Sequence, residues 1–359
     1  MSNSSIIVHV VRSVSVAALL AASGTSLARV TFIQTGAPFV NPIGVAYNET
    51  NTSLIATSNY PSGNPYSFSR IDQFANTTQW STASGLAGEL YLDCPRTVNS
   101  SSGWTPGETF AGNGVPGQIM RISANGSSVT NTWTTLTQAS PPFTETGTPN
   151  GQLRFDNTGL FNNDLIVTTT TGNVWRVKSS GTAIHLATLP NPGDYEGLAV
   201  VPNNPTRYGP LAGKIVIGNE TGNDVWTVDT AGNVAILPGI APAQVEGLHI
   251  IPANENFIGV DYLGGQLLYA NAADFAPFVG DLMVVSEIIG ANPGNTSGLS
   301  RLLWNGGSTG GFTIKPIPLD PGSIAPQLWE GSTFAPLVPT PGAAGILGLG
   351  LIVGARRRR

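Results

Sequence analysis

Apolar residues come in short runs along most of this chain, each run closed by a cluster of Gly, Pro or Asn. Runs that short, rich in Val, Ile and aromatic residues, predict β-strands. No central stretch carries the long 3.6-residue period of an amphipathic helix. The runs also repeat. Glu196-Gly197-Leu198-Ala199-Val200-Val201-Pro202 returns 50 positions later as Glu246-Gly247-Leu248-His249-Ile250-Ile251-Pro252. Weaker copies are Ile43-Gly44-Val45-Ala46-Tyr47 and Asn150-Gly151-Gln152-Leu153-Arg154-Phe155. A second apolar run follows each copy, as in Asn163–Val167, Gly213–Ile217 and Gly280–Val285. A third contains an aromatic, as in Asn173–Val177 and Asp224–Asp229, and Val234–Leu237 ends a unit after an Ala-Gly-Asn turn.

Four strands in roughly 45–50 residues, the central ones apolar throughout, predict an all-β fold of propeller blades. One blade cannot cover both of its faces, so blades stack and close into a ring. From Ile43 to about Asp320 the period leaves room for six four-stranded blades, and the irregular unit from 246 to 318 leaves five or seven open. Arg29-Val30-Thr31-Phe32-Ile33 reads as a strand that pairs with the last blade and closes the ring.

Composition agrees. With 44 Gly and 27 Pro the chain has too much turn chemistry for a helical protein, and 41% hydrophobic residues is too much for disorder. Every acidic residue lies between Glu49 and Glu330. Setting aside Arg12 and Arg356 to Arg359 leaves 11 basic against 21 acidic residues, a net charge of −10 for the central part. Such a surface repels nucleic acid and anionic lipid, which removes both from its expected partners. The single cysteine, Cys94, excludes an intrachain disulfide and cysteine-based zinc sites, and is expected to be a small buried hydrophobe.

The ends differ from the middle. Arg12 precedes the apolar run SVSVAALLAA, and Ser26-Leu27-Ala28 supplies small residues at −3 and −1 for cleavage after Ala28. Residues 1–28 therefore read as a secretory signal peptide with a signal helix too short for a permanent span. At the other end Pro339-Thr340-Pro341 is followed by uncharged Gly342–Ala355 and then by Arg356, Arg357, Arg358 and Arg359. The uncharged part is about 21 Å long as a helix, and the arginines hold its end on the cytoplasmic side. This three-part tail resembles the bacterial PEP-CTERM sorting signal, with Thr340 where that signal usually has glutamate. The resemblance implies processing by an exosortase-type transpeptidase, in a bacterium that makes exopolysaccharide. It also implies membrane contact through the C-terminal hydrophobic helix before processing. The expected organisation is signal peptide 1–28, propeller 29–335 and sorting or anchor segment 336–359, placing the protein in the cell envelope or outside the cell.

Common catalytic motifs are missing: there is no P-loop and no H-E-x-x-H. After the signal segment the histidines are His185 and His249, and His249 alternates with apolar neighbours as a satisfied core imidazole does. The position before the repeated glycine is more informative. It opens the innermost strand of each blade, so Asn150, Glu196 and Glu246 are expected to ring the central channel. Converging carboxylates repel unless one is protonated, hydrated or paired with a cation, and Ca²⁺ accepts carboxylate and amide oxygens in irregular arrangements. Asn219-Glu220, Asp261 and Glu287 end second strands and supply a candidate further layer. The P-N-G and E-G-L motifs resemble those of the six-bladed gluconolactonase and senescence-marker-protein family. That resemblance implies a Ca²⁺ or other divalent metal in the channel, held by the acidic and asparagine residues at these strand starts. Facing bulk water or capping backbone amides is the plain alternative for the same glutamates.

Trp80, Trp104 and Trp133 fall near strand ends, where stacking on sugars competes with core packing. After the signal segment seven Asn-x-Ser/Thr sequons, at Asn48, Asn51, Asn76, Asn99, Asn125, Asn219 and Asn295, are expected from a composition rich in Asn, Ser and Thr. The function expected first is therefore an exported propeller that binds exopolysaccharide, another glycan or an envelope protein. A metal-dependent hydrolase or lyase working in the channel is the alternative. A matrix component whose task is only folding and display is the third.

Overall fold

The computed structural model describes residues 28–58, 67–86, 88–290, 294–306 and 311–336. Residues 1–27 of the signal segment 1–28 and the sorting tail from residue 337 on, including Pro339, Thr340, Pro341 and Arg356 to Arg359, lie outside the described residues. Among the described residues no helix is long and apolar enough to cross a membrane.

The chain enters with β1 (Ile33–Thr35). Blade 1 is β2 (Pro42–Asn48), β3 (Ser53–Ser58), β4 (Phe68–Ile71) and β5 (Thr77–Gln79), and blade 2 is β6 (Leu92–Asp93), β7 (Thr109–Gly112), β8 (Gln118–Ile122) and β9 (Val129–Thr135). A small hairpin, β10 (Thr137–Ala139) and β11 (Pro142–Thr144), leads into blade 3: β12 (Leu153–Phe155), β13 (Leu165–Thr168), β14 (Asn173–Val177) and β15 (Ala183–Thr188). Blade 4 is β16 (Gly197–Val200), β17 (Ile215–Gly218), β18 (Val225–Val228) and β19 (Val234–Ile236). Neighbouring strands within each blade run antiparallel.

The next two blades are interlocked. Blade 5 begins with β20 (Val245–Ile250), but the chain then leaves it to form the hairpin β21 (Glu255–Asp261) and β22 (Gln266–Ala270). It returns to blade 5 for β23 (Leu282–Ser286), β24 (Leu299–Trp304) and β25 (Phe312–Pro316), and ends in β26 (Trp329–Pro336). The sixth sheet has the order β26-β21-β22-β1, so blade 6 is built from the C-terminal strand, a hairpin lent by blade 5 and the N-terminal strand. In blade 4 the connection from first to second strand is one short helical turn, α1 (Pro205–Tyr208); blade 5 repeats that turn as α2 (Ala272–Phe275), with the hairpin added before it. That addition is the irregularity visible between 246 and 318, and the blade count is six.

The N-terminal strand closes the ring, shifted by a few residues from its expected place. Ile33 pairs with Tyr269 and Thr35 with Leu267, while Val30 makes an isolated parallel bridge to Leu319.

Packing explains why central strands are apolar on both sides. Along β13 and β14, Leu165, Val167, Trp175 and Val177 face blade 2, while Ile166 and Val174 face blade 4. This is the two-residue period of a strand covered on both faces. Six buried clusters result, one in each gap between neighbouring blades. Around the channel the innermost strands approach so closely that the repeated glycine is required. A Cβ on Gly331 would meet the Ile43 carbonyl oxygen at 2.6 Å and the Gly44 Cα at 2.9 Å, both backbone atoms that cannot turn aside.

Trp80 and Trp104 are core residues, 6% and 4% exposed, and Trp133 packs edge-on against Phe110. Four sequon asparagines, Asn48, Asn99, Asn219 and Asn295, are buried, as a compositional origin predicts.

Candidate functional site: a carboxylate cluster in the channel

The residues that open the innermost strands meet inside the ring. Glu196 immediately precedes β16, Glu246 is the second residue of β20 and Glu330 the second of β26. They come from three consecutive blades, and all are buried. Tyr91, immediately before β6, reaches them from blade 2. Its hydroxyl lies 2.5 Å from Glu196 Oε2, 2.9 Å from Glu246 Oε2 and 3.1 Å from Glu330 Oε2. One oxygen from each carboxylate fits within a group no more than 4.8 Å across. A second group of the same size joins Glu246 to Glu220 and Glu287, both half-buried. The half-buried Glu89 adds its charge to the first group.

A phenol has one proton to donate, and three carboxylates surround it. Burial and the charges of Glu196, Glu246 and Glu330 raise the Tyr91 hydroxyl well above its usual range, so that proton stays in place. The carboxyls are raised too. Burial acts first on Glu196, followed by the charges of Glu89 and Glu330, against hydrogen bonds that lower it. Burial and then Glu196 and Glu330 raise Glu246 well above the usual range. Glu330 is pushed up to about 8 by burial and by Glu89, and Glu220 to about 7 by burial and by Glu287. The cluster therefore holds protons at neutral pH or takes up a cation in their place.

Glu145 shows how the same fold treats a buried carboxylate that is meant to be ionised. It accepts hydrogen bonds from Trp175 Nε1 at 2.7 Å, from the Thr171 and Thr169 hydroxyls, and from the Thr146 and Gly147 amides. Burial alone would raise it, but those donors hold it below its ordinary value. Among the described residues no comparable set of donors surrounds Glu196, Glu246 and Glu330, for which Tyr91 is the shared donor.

The donor set fits a hard divalent cation. Oxygens bound to one Ca²⁺ at about 2.3–2.6 Å lie at most about 5 Å apart, and the carboxylate oxygens meet that limit. Glu196, Glu246 and Glu330 would hold such an ion, with Glu220 and Glu287 at the second group.

Of the residues expected from sequence, Glu196, Glu246, Glu220 and Glu287 come together. Three others are engaged elsewhere. Asn150 is half-buried with its amide against Gly88, and makes no hydrogen bond to the cluster. Asn219 turns inward on its own loop, accepting from the Gly222 amide and the Thr221 hydroxyl. Asp261 fastens β21 to the start of β26: it accepts from the Gln327, Leu328 and Gly264 amides and from Gln266 Nε2. Glu330, Tyr91 and Glu89 were not anticipated. Glu330-Gly331 repeats the Glu-Gly of the other two copies, a signal hidden because the strand that carries it comes last in the chain rather than one period on.

Neither described histidine serves the cluster. His249 Nε2 lies 2.8 Å from Ser332 Oγ, and burial together with Arg154 and Arg96 keeps the ring neutral. His185 stacks on Phe143 at 4.4 Å on the outer strand of blade 3. Cys94 is buried and its thiol is pushed up to about 12 by burial, which leaves it unreactive.

The described residues thus define a six-bladed β-propeller with an acidic centre. No protein-family model and no curated protein matches the chain. Among solved structures, a streptogramin B lyase is 15% identical over 82% of this chain and 75% of its own, with TM-score 0.46. The virginiamycin B lyase from Staphylococcus aureus is 14% identical over 82% and 75%, also at 0.46. A protein described as a gluconolactonase is 11% identical over 80% and 93%, again at 0.46. At this level the likenesses carry no inference about chemistry.

Proposed function

We propose that this protein is an exported propeller whose centre is locked by one divalent cation, Ca²⁺ by preference, and whose task is to bind a glycan or protein partner in the bacterial cell envelope. The observation that carries the cation is the meeting of three buried carboxylates on one phenol, with acidic groups as the strongest charges acting on them. Burial of Glu196 and Glu246, 3% and 1% exposed, favours an ion that ties blades together over one that meets a substrate. Export and sorting rest on the signal segment and the Pro-Thr-Pro, apolar, four-arginine tail. They are tested by the C-terminal mass of the protein recovered from the envelope of an exosortase-bearing host: a mass ending near Pro341 supports processing, and an intact Arg359 end overturns it.

The cation is tested by elemental analysis and melting of the purified protein beside Glu196→Gln/Glu246→Gln. The expected result is about one divalent ion per chain and a Ca²⁺-dependent rise in melting temperature of roughly 5 °C, both lost in the double variant. A metal-free wild type that does not respond to Ca²⁺ overturns the proposal.

A hydrolase or lyase in the channel is the second reading. It is favoured by Glu220, half-buried beside Glu287 and pushed up to about 7, where a carboxyl can exchange protons at neutral pH. Lactone turnover by the metal-loaded protein, abolished in Glu220→Gln, would place this reading first.

A further inference from the structure

The innermost strands have a second end. Their later residues line a separate cavity of about 320 Å³, at the low end of ligand pockets, which run from roughly 300 to 1,000 Å³. The cluster residues Glu196, Glu246 and Glu330 start β16, β20 and β26, whereas Val200, Ile250 and Phe334, further along the same strands, line this cavity. Two arginines also line it, and they are treated differently. Arg96 is fully engaged: Nη1 donates to Glu255 Oε1 at 2.7 Å, Nη2 to the Phe334 carbonyl at 2.5 Å, and the guanidinium lies over the Tyr47 ring.

Arg154, on β12, is not. Its Nη2 donates to a neutral acceptor, Gln152 Oε1, at 3.0 Å. Its Nε is buried without a partner, and among the described residues it forms no ion pair. Asp93, the acid whose charge acts on it most, accepts the Phe155 and Cys94 amides instead. A guanidinium does not lose its charge in a protein, so the cavity wall carries a cation that feels Asp93 but, among the described residues, forms an ion pair with no carboxylate. Beside it the wall is apolar, formed by Leu198, Val200, Leu248 and Ile250.

We propose that this cavity binds a small organic monocarboxylate, its carboxylate on Arg154 and its hydrocarbon part against Leu198, Val200, Leu248 and Ile250. A planar carboxylate matches the guanidinium fork, which a spherical halide does not. Asp93 and Glu255, also in the lining, disfavour a dianion such as phosphate. The neutral His249 adds no further positive charge.

The test is titration calorimetry of the purified protein with hexanoate, hexanamide and inorganic phosphate. Hexanoate binds at one site, and hexanamide and phosphate bind at least about tenfold more weakly. Arg154→Met abolishes hexanoate binding while folding normally, because it removes a charge that no ion pair holds and a buried Nε that has no partner. Val200→Phe, which narrows the cavity and keeps Arg154, also weakens hexanoate by about tenfold or more and protects the test if Arg154→Met fails to fold. Binding persists in chelator, which separates this site from the carboxylate cluster. No hexanoate binding, equal binding of hexanamide or phosphate, or an unchanged affinity in Arg154→Met or Val200→Phe overturns the assignment.

Discussion

In chelator, the melting temperature of this protein falls as pH is raised from about 5 to about 9, and excess Ca²⁺ abolishes the fall. The cause lies in the channel. Glu330 and Glu220 titrate near 8 and 7 in the folded chain, and Glu196 and Glu246 are raised with them, whereas an unfolded chain releases these protons near 4.5. Between those limits the folded state holds more protons than the unfolded one, so each rise in pH favours unfolding. The cluster's stabilising protonation is complete below about 4.5 and is lost as pH passes through 7 to 8. Glu330 alone, 9% exposed, contributes on the order of 4 kcal/mol across this window, and a drop of order 10 °C in melting temperature follows for the cluster. A bound cation replaces the protons and needs the carboxylates ionised, so with Ca²⁺ the stability at high pH is retained. Glu330→Gln flattens the metal-free profile because an amide keeps its protons throughout. Differential scanning calorimetry with EDTA or Ca²⁺ reads both curves. A metal-free protein whose melting temperature is flat or rises over this range removes the carboxylate cluster from the centre of the argument.

The propeller was legible because short apolar runs recur at a fixed spacing. Runs apolar throughout, such as Leu165-Ile166-Val167, marked strands covered on both faces, and the 50-residue spacing of Glu196 and Glu246 gave the blade. Where the spacing breaks, the sequence is silent. In blade 2 the innermost strand is short, and Tyr91-Leu92 stands where blade 1 has Ile-Gly and blades 3 to 6 have Asn-Gly or Glu-Gly. In blade 6 no single stretch of chain contains the unit, since its strands come from three places in the chain.

The same contrast holds for the site. Glu196 and Glu246 were visible as repeats, but what makes them a site is Tyr91, contributed 105 positions before Glu196, and Glu330, which follows the hairpin and all of blade 5. Convergence on one hydroxyl is a product of ring closure. Asn219 and Asp261 show the converse: polar residues at strand ends look alike in sequence, and only the backbone amides nearby decide which of them cap loops. Arg154 had no signal at all, because its meaning is that, among the described residues, it forms no ion pair.

The largest loss of stability from one substitution is expected at Trp329→Ala. The indole is fully buried at the start of β26, in the cluster between blades 5 and 6. It meets Phe32 edge-on at 5.2 Å and Phe257 at 5.8 Å, so it touches the N-terminal segment and the inserted hairpin together. Its Nε1 donates to the Ser297 carbonyl at 2.7 Å. Gly259 and Gly298 leave room for it, since a Cβ on either would fall within 2.4 Å of the ring. Truncation opens a cavity that these rigid neighbours cannot fill and leaves a buried carbonyl without its donor, a cost of about 3–5 kcal/mol. Because all three segments of blade 6 meet around this side chain, the loss spreads. Hydrogen exchange is expected to speed up in β1, β21, β22 and β26 together, while β13 and β14 across the ring keep their protection at the level set by global unfolding. Urea unfolding of the variant gives the energy, and exchange gives its distribution. A cost below about 1 kcal/mol, or faster exchange confined to β26, means that the ring is closed by its other contacts and that the interlocked blades fold as independent units.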